Sequence, residues 1–319
     1  MARAVSLGVD LAGVRLTTPV LGASGTFGSG RELSAFIDFR RIGGIVTKSV
    51  TPKPVRGLAT PRMAETSSGM LNAIGLQNPG LKGFLHKDGP WIAEVGVPVI
   101  VSIAGKTVQE FAEVAVEVSR IPGVVAIEAN ISCPNVEKRG QVFACDPSAA
   151  NDVIGTLTRM TNLPVFAKLT ADVTSIVEVA EACVRAGAHG LTLINTLLGM
   201  SIDVETMKPR LASVTGGLSG PAIRPVAVRC IYQVARALPE IPIIGVGGVV
   251  DTKSAIELLL AGAWAVQVGT ANFYNPQATV EIGQGIGEYL LARGLRSVAD
   301  LRGRVAGVPP PEPAFQGSG

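Results

Sequence analysis

Histidine and cysteine are scarce in this 319-residue chain, with two of the first (His86, His189) and four of the second (Cys133, Cys145, Cys183, Cys230). None of the cysteines stands at CxxC spacing or pairs with a histidine, so neither a zinc site nor a disulfide scaffold is expected. Two histidines leave little scope for imidazole catalysis or metal ligation, and the acid–base group is expected from another residue type. Charged residues make up only 17% of the chain; the net charge is +3, and the basic side chains are scattered. Nucleic-acid binding would need them clustered. Apolar runs such as 97–103 fall well short of the ~20 residues that span a bilayer. The opening MARAVSLGVDLAGV has one Arg, no long apolar core and an early Asp10, which is not the pattern of a cleaved signal peptide. A cytoplasmic protein without membrane or nucleic-acid contacts is the expectation.

What the chain does have is hydrophobic residues, at 47%, grouped in short Val- and Ile-rich runs. These runs lie at 19–24, 42–49, 98–104, 124–131, 164–170, 190–196, 241–247 and 265–270. Amphipathic stretches of helical length separate them, as at 108–119, 148–160, 176–186, 223–237 and 252–261. Apolar runs bounded by helices read as strands buried on both faces of a parallel sheet. Eight such units fit a closed barrel better than an open sheet, so the expected fold is α/β, a single (β/α)8 TIM barrel over 1–305 with a Pro- and Gly-rich tail at 306–319. The AGA turns at 186–188 and 261–263 close helices with Gly at the C′ position. Two long connections, 50–91 and 197–220, are expected at the C-terminal face of the barrel, where ligands bind.

Polar residues gather at the C-terminal ends of the expected strands: Lys48 and Ser49 after the second, Asn130, Ser132, Cys133 and Asn135 after the fourth, Lys168 on the fifth, Asn195 and Thr196 after the sixth. Each alone could be an ordinary loop residue, but together on one rim they read as a ligand site. The seventh and eighth strands end in GVGG (245–248) and in Gly269–Thr270, where glycine lets backbone amides approach a phosphate. That pattern implies a phosphorylated ligand, FMN or a sugar phosphate.

The segments ETSSGMLNAIGLQNPG (65–80), NISCPNV (130–136), INTLLG (194–199), TGGLSGPAI (215–223) and IIGVGGV (243–249) resemble class 1 dihydroorotate dehydrogenases, most closely the B-type catalytic subunit. The resemblance covers residues 5 to 300. It implies a β/α barrel, one FMN per chain, and oxidation of (S)-dihydroorotate to orotate in pyrimidine synthesis. It further implies a homodimer within a heterotetramer, whose electron-transfer subunit carries FAD and a [2Fe-2S] cluster and delivers electrons to NAD. On the same resemblance Cys133 is the base that takes the proton from carbon 5, and Lys168 is the cation beside the pyrimidine edge of the flavin. Lys48, Asn72, Ala73, Ile74, Gly75, Leu76, Asn130, Asn135, Asn195 and Thr196 match substrate positions. Ser24, Lys48, Ser49, Ser102, Asn130, Lys168, Ile194, Gly220, Gly247, Gly248, Gly269 and Thr270 match flavin contacts.

Two features depart from the family pattern. Ser102 stands where B-type relatives usually carry Asn, and the active loop reads Glu137-Lys138-Arg139-Gly140 where they often have a second Gly. Cys145, Cys183 and Cys230 read as structural thiols, His86 and His189 as surface or turn residues, and Trp91 and Trp264 as packing. Three rivals stand beside the main reading: a dihydropyrimidine dehydrogenase-like flavoenzyme, a phosphate-binding aldolase or isomerase with Lys168 as Schiff-base lysine, and a barrel that binds nucleotide without catalysis.

Overall fold

The computed structural model describes residues 5–132 and 146–307. Eight parallel strands close into a barrel in which each pairs with the next in the chain and the last with the first. They are β1 (Val20–Gly22), β2 (Gly44–Val46), β3 (Val99–Ile103), β4 (Val124–Asn130), β5 (Val165–Leu169), β6 (Gly190–Leu193), β7 (Ile243–Val246) and β8 (Ala265–Val268). Every expected strand is present, because β-branched runs of this length pack on both faces between a filled interior and an outer layer of helices. Closure is set by the pairing of Val266 with Val20, Gln267 with Leu21 and Val268 with Gly22.

The helices are α1 (Gly80–Lys87), α2 (Gly89–Glu94), α3 (Val108–Val118), α4 (Pro147–Met160), α5 (Ile176–Arg185), α6 (Arg224–Ala237), α7 (Thr252–Ala261) and α8 (Ala278–Ala292). Side chains of Thr107, Asp146, Ser175 and Asp251 cap α3, α4, α5 and α7 by accepting an exposed backbone N–H. Their apolar faces pack on the outside of the barrel through residues such as Val114, Ile154, Ile231 and Leu258. After α5 and α7 the chain turns at Gly187 and Gly262, both at positive φ.

Inside the barrel the two-residue alternation of each strand sorts polarity by height. Leu21, Val46, Ile100, Ala126, Phe166, Ile244 and Ala265 form an apolar floor, closed from below by Leu11, Val14 and Leu16 of an N-terminal hairpin. Two residues further along the same strands stand Ser102, Glu128, Lys168 and Gln267, all buried. The interior therefore turns polar toward the C-terminal mouth.

The two long connections are not irregular. They supply a four-stranded antiparallel sheet over that mouth, ordered Leu197–Met200, Thr215–Ser219, Gly69–Asn72 and Met63–Thr66. Its strands come from segments far apart in the chain, with Asn72 opposite Gly217. Short Gly-rich pieces such as TGGLS carry no clean alternation, and only pairing in three dimensions makes them strands. No helix among the described residues is long and apolar enough to cross a membrane.

Candidate active site

The cleft between the barrel mouth and this covering sheet has a volume of about 1480 Å³. That exceeds what a single small ligand needs and suits a cofactor with a second molecule beside it. Backbone geometry places its walls. Lys48 and Ser49 follow β2, Asn130 ends β4, Lys168 lies within β5, and Ile194, Asn195 and Thr196 follow β6. All of them line the cleft, as do Ser24, Asn72, Ala73, Ile74, Gly75, Leu76, Gly220, Gly247, Gly248, Gly269 and Thr270.

Several of these side chains are held in one hydrogen-bonded row along the barrel rim, from β2 to the end of β6. The hydroxyls of Ser102 and Ser49 are 2.9 Å apart, Asn130 Nδ2 donates to Ser49 Oγ at 3.1 Å, and Asn195 Nδ2 donates to Asn130 Oδ1 at 3.3 Å. Asn195 Oδ1 accepts in turn from the backbone N–H of Thr196 at 2.8 Å. From the covering sheet, Asn72 Nδ2 donates to the carbonyl of Gly217 at 3.3 Å. The amide groups are thereby fixed before a ligand arrives, which lowers the ordering cost of binding. Ser102 is the exception to the expected direct contact. It is fully buried and does not line the cleft, standing behind Ser49, because its short side chain ends inside the wall.

Lys168 is nearly buried, and its Nζ lies 3.2 Å from Oε1 of Glu128, which is itself buried. Glu128 Oε2 accepts from Gln267 Nε2 at 2.9 Å. At the opposite side, Gly247 (φ +126) and Gly248 (φ +73) bring the backbone of the β7–α7 turn against Arg224 and Ala227, where a Cβ on Gly248 would sit 2.5 Å from the Cβ of Arg224. Only glycine fits there. Thr270 Oγ1 donates to Ser219 Oγ at 2.8 Å, joining the β8 end to the covering sheet. Gly247 and Gly248 line the cleft five and four residues before α7 begins, where the sequence motif leads one to expect a phosphate-type subsite.

Cys133, Asn135, Cys145 and the run Glu137–Gly140 lie outside the described residues. The last described residue before them is Ser132, which lines the cleft and whose hydroxyl donates to the Lys168 carbonyl at 2.6 Å. Cys183 and Cys230 are buried on α5 and α6. Burial pushes the Cys183 thiol up to about 12, and it raises that of Cys230 against the opposing charge of Arg229. Trp91 packs edge-on to Phe39 and Trp264 lies beneath the Arg302 guanidinium, both away from the cleft lining. His86 is exposed on α1, while the exposed His189 accepts the backbone N–H of Val165 through Nδ1. Among the described residues no cluster of His, Cys, Asp and Glu could hold a metal.

Sequence reasoning missed Glu128, Gln267, Asp172 and Ser219. Asp172 Oδ2 accepts from the backbone N–H of Leu198 at 2.9 Å, tying the β5 loop to the covering sheet. Glu128 and Gln267 left a signal, since each interrupts an otherwise apolar strand at an inward position. Asp172 stands in the loop after β5 and Ser219 at the end of a short strand of the covering sheet, and the partners Leu198 and Thr270 are remote in sequence.

The family model described as Dihydroorotate dehydrogenase matches residues 6–290. A protein of Geotalea daltonii named Dihydroorotate dehydrogenase B (NAD(+)), catalytic subunit, is 50% identical to this chain over 93% of the chain and 97% of the relative. Proteins with the same name are 50% identical in Pelobacter propionicus, over 92% of this chain and 97% of theirs, and 48% identical in Trichlorobacter lovleyi, over 95% and 99%.

Proposed function

The chain belongs to the dihydroorotate dehydrogenase family, and from that membership we propose that it oxidises (S)-dihydroorotate to orotate with FMN in the cleft, as a step of pyrimidine synthesis. The observation that carries this reading is the convergence of Lys48, Asn72, Asn130, Asn195 and Thr196 on the same cleft as Lys168 and the paired glycines of the β7–α7 turn. A dihydropyrimidine ring with a carboxylate presents carbonyls, N–H groups and one anionic charge. Side-chain amides offer both donors and acceptors to such a ring, and Lys48 offers a cation to the carboxylate. The residues also fit FMN: the crowded glycines leave room for a phosphate against backbone amides, and Lys168 supplies positive charge at the buried end.

Bound FMN supplies the two-electron acceptor for the hydride that leaves carbon 6 of the substrate. The chain itself holds the ring in register through Asn130 and Asn195 and takes the carbon 5 proton on the thiolate of Cys133. The ion pair of Lys168 with Glu128 favours a lysine acting as a fixed cation over a Schiff-base lysine. The name shared by the relatives includes both NAD(+) and a catalytic subunit. It supports a separate partner subunit and a link to NAD; on the proposed reading this partner carries FAD and a [2Fe-2S] cluster and passes electrons to NAD. On the same reading the chain forms a homodimer within a heterotetramer in the cytoplasm.

Anaerobic mixing of the FMN-loaded protein with dihydroorotate, followed by flavin absorbance, tests the assignment. Bleaching by dihydroorotate and not by dihydrouracil is expected. Bleaching by dihydrouracil alone would move the chain to a different pyrimidine substrate.

A further inference from the structure

Inside the barrel, paired with Lys168 from the neighbouring strand, lies a charged group that the proposed chemistry does not use. Glu128 is 0% exposed, yet it sits one layer above the apolar floor formed by Ala126, Phe166 and Ile244. A buried carboxylate costs several kcal/mol of desolvation even when paired, so the same fold would be easier to hold with an apolar residue at this position. Its two oxygens are committed in different directions. Oε1 faces Lys168 Nζ on the neighbouring strand at 3.2 Å, and Oε2 accepts from Gln267 Nε2 at 2.9 Å. Gln267 is on β8 and Glu128 on β4, four strands apart around an eight-stranded barrel. The second bond therefore crosses the barrel interior and fixes the carboxylate from the far side.

The ammonium of Lys168 has three donors, and Glu128 takes one. Lys168 also lines the cleft, so the same ammonium that pairs with the Glu128 carboxylate would stand beside a flavin ring bound there. A lone buried cation beside that ring would favour strongly the reduced, negatively charged flavin. Electrons would then be held rather than released. We infer that Glu128, locked by Gln267, is a positioning residue that aims the Lys168 ammonium and offsets most of its field at the flavin ring, keeping the reduction potential low. A low potential is what a nicotinamide-type acceptor further along the electron path requires. The inference rests on the flavin reading of the cleft.

The experiment is a spectrophotometric potential titration of the full chain loaded with FMN. Glu128→Gln keeps the shape and a carbonyl acceptor but removes the charge. It is expected to favour the reduced flavin by more than tenfold, which for two electrons is about 30 mV upward. An unchanged or lowered potential overturns the inference. Because Glu128→Gln leaves Lys168 without its counter-charge and could fail to fold, the pair Glu128→Gln with Lys168→Met is measured too. It removes both charges at once, and its potential is expected within tenfold, about 30 mV, of the unaltered protein. A larger fall would mean that Lys168 acts unopposed, and would also overturn the inference. FMN uptake by the unaltered chain is measured first. Failure there contradicts the flavin reading itself, whereas uptake with a potential indifferent to Glu128 contradicts only the role given to this residue.

Discussion

At the level of single residues, the described thiols are buried ones. Burial lifts the Cys183 thiol to about 12, so at neutral pH it is a packing group and not a nucleophile. Cys133 is one residue beyond Ser132, which is tied to the Lys168 carbonyl at the cleft rim. If Cys133 is the base, Cys133→Ala keeps FMN and orotate binding but slows flavin reduction by dihydroorotate by ~10²–10⁴-fold, the usual contribution of a positioned base. Cys133→Ser, with a much less acidic hydroxyl, recovers part of the rate only at higher pH. Stopped-flow bleaching across pH checks both variants, with Cys145→Ala as the control. A fast Cys133→Ala beside an inactive Cys145→Ala would transfer the role to the other cysteine.

Among the elements, α7 shows how local chemistry sets a boundary beside the site. Its expected span, 252–261, is the observed one, because Asp251 and Ser254 form a reciprocal capping box that begins three residues beyond Gly248. Burial works to raise the Asp251 carboxyl, but hydrogen bonds from the Ser254 backbone and hydroxyl, with Arg224 and Lys253 nearby, hold it below the usual 3.8. A depressed carboxylate contributes stability above its unfolded pKa and loses it as pH falls through the folded value. Asp251→Ala is therefore expected to cost about 1 kcal/mol at pH 7, with the difference from the unaltered protein shrinking in acid. Urea unfolding at several pH values measures it. The helix α8 was less legible, since Gly283, Gly285 and Gly287 dilute its pattern. In the fold Gly285 lies where a Cβ would collide with Thr252, so close packing on α7 explains the glycine.

For the molecule as a whole, ligand linkage and electron transfer are the measurable consequences. FMN at a hundredfold excess over its dissociation constant should stabilise the folded chain by about 2.7 kcal/mol, seen as a rise in Tm; a folded protein with unmoved Tm and no colour contradicts the cofactor assignment. The isolated chain is expected to pass electrons from dihydroorotate to artificial dyes but poorly to NAD, and efficient NAD reduction without a partner would contradict the two-subunit reading. The sequence by itself determined the barrel, because eight β-branched runs between amphipathic helices have few other ways to bury their surface. It also marked the rim, since Lys48, Asn130, Lys168 and Asn195 all fall at or near strand ends, where alternation gives way to polar residues. Only the tertiary structure decided that Ser102 stands behind Ser49, that Asn72 is carried in on a sheet built from two distant connections, and that Lys168 shares its charge with Glu128 across from Gln267. Each of these depends on side chains from separate strands meeting inside a closed barrel, and local periodicity carries no information about which remote partner arrives.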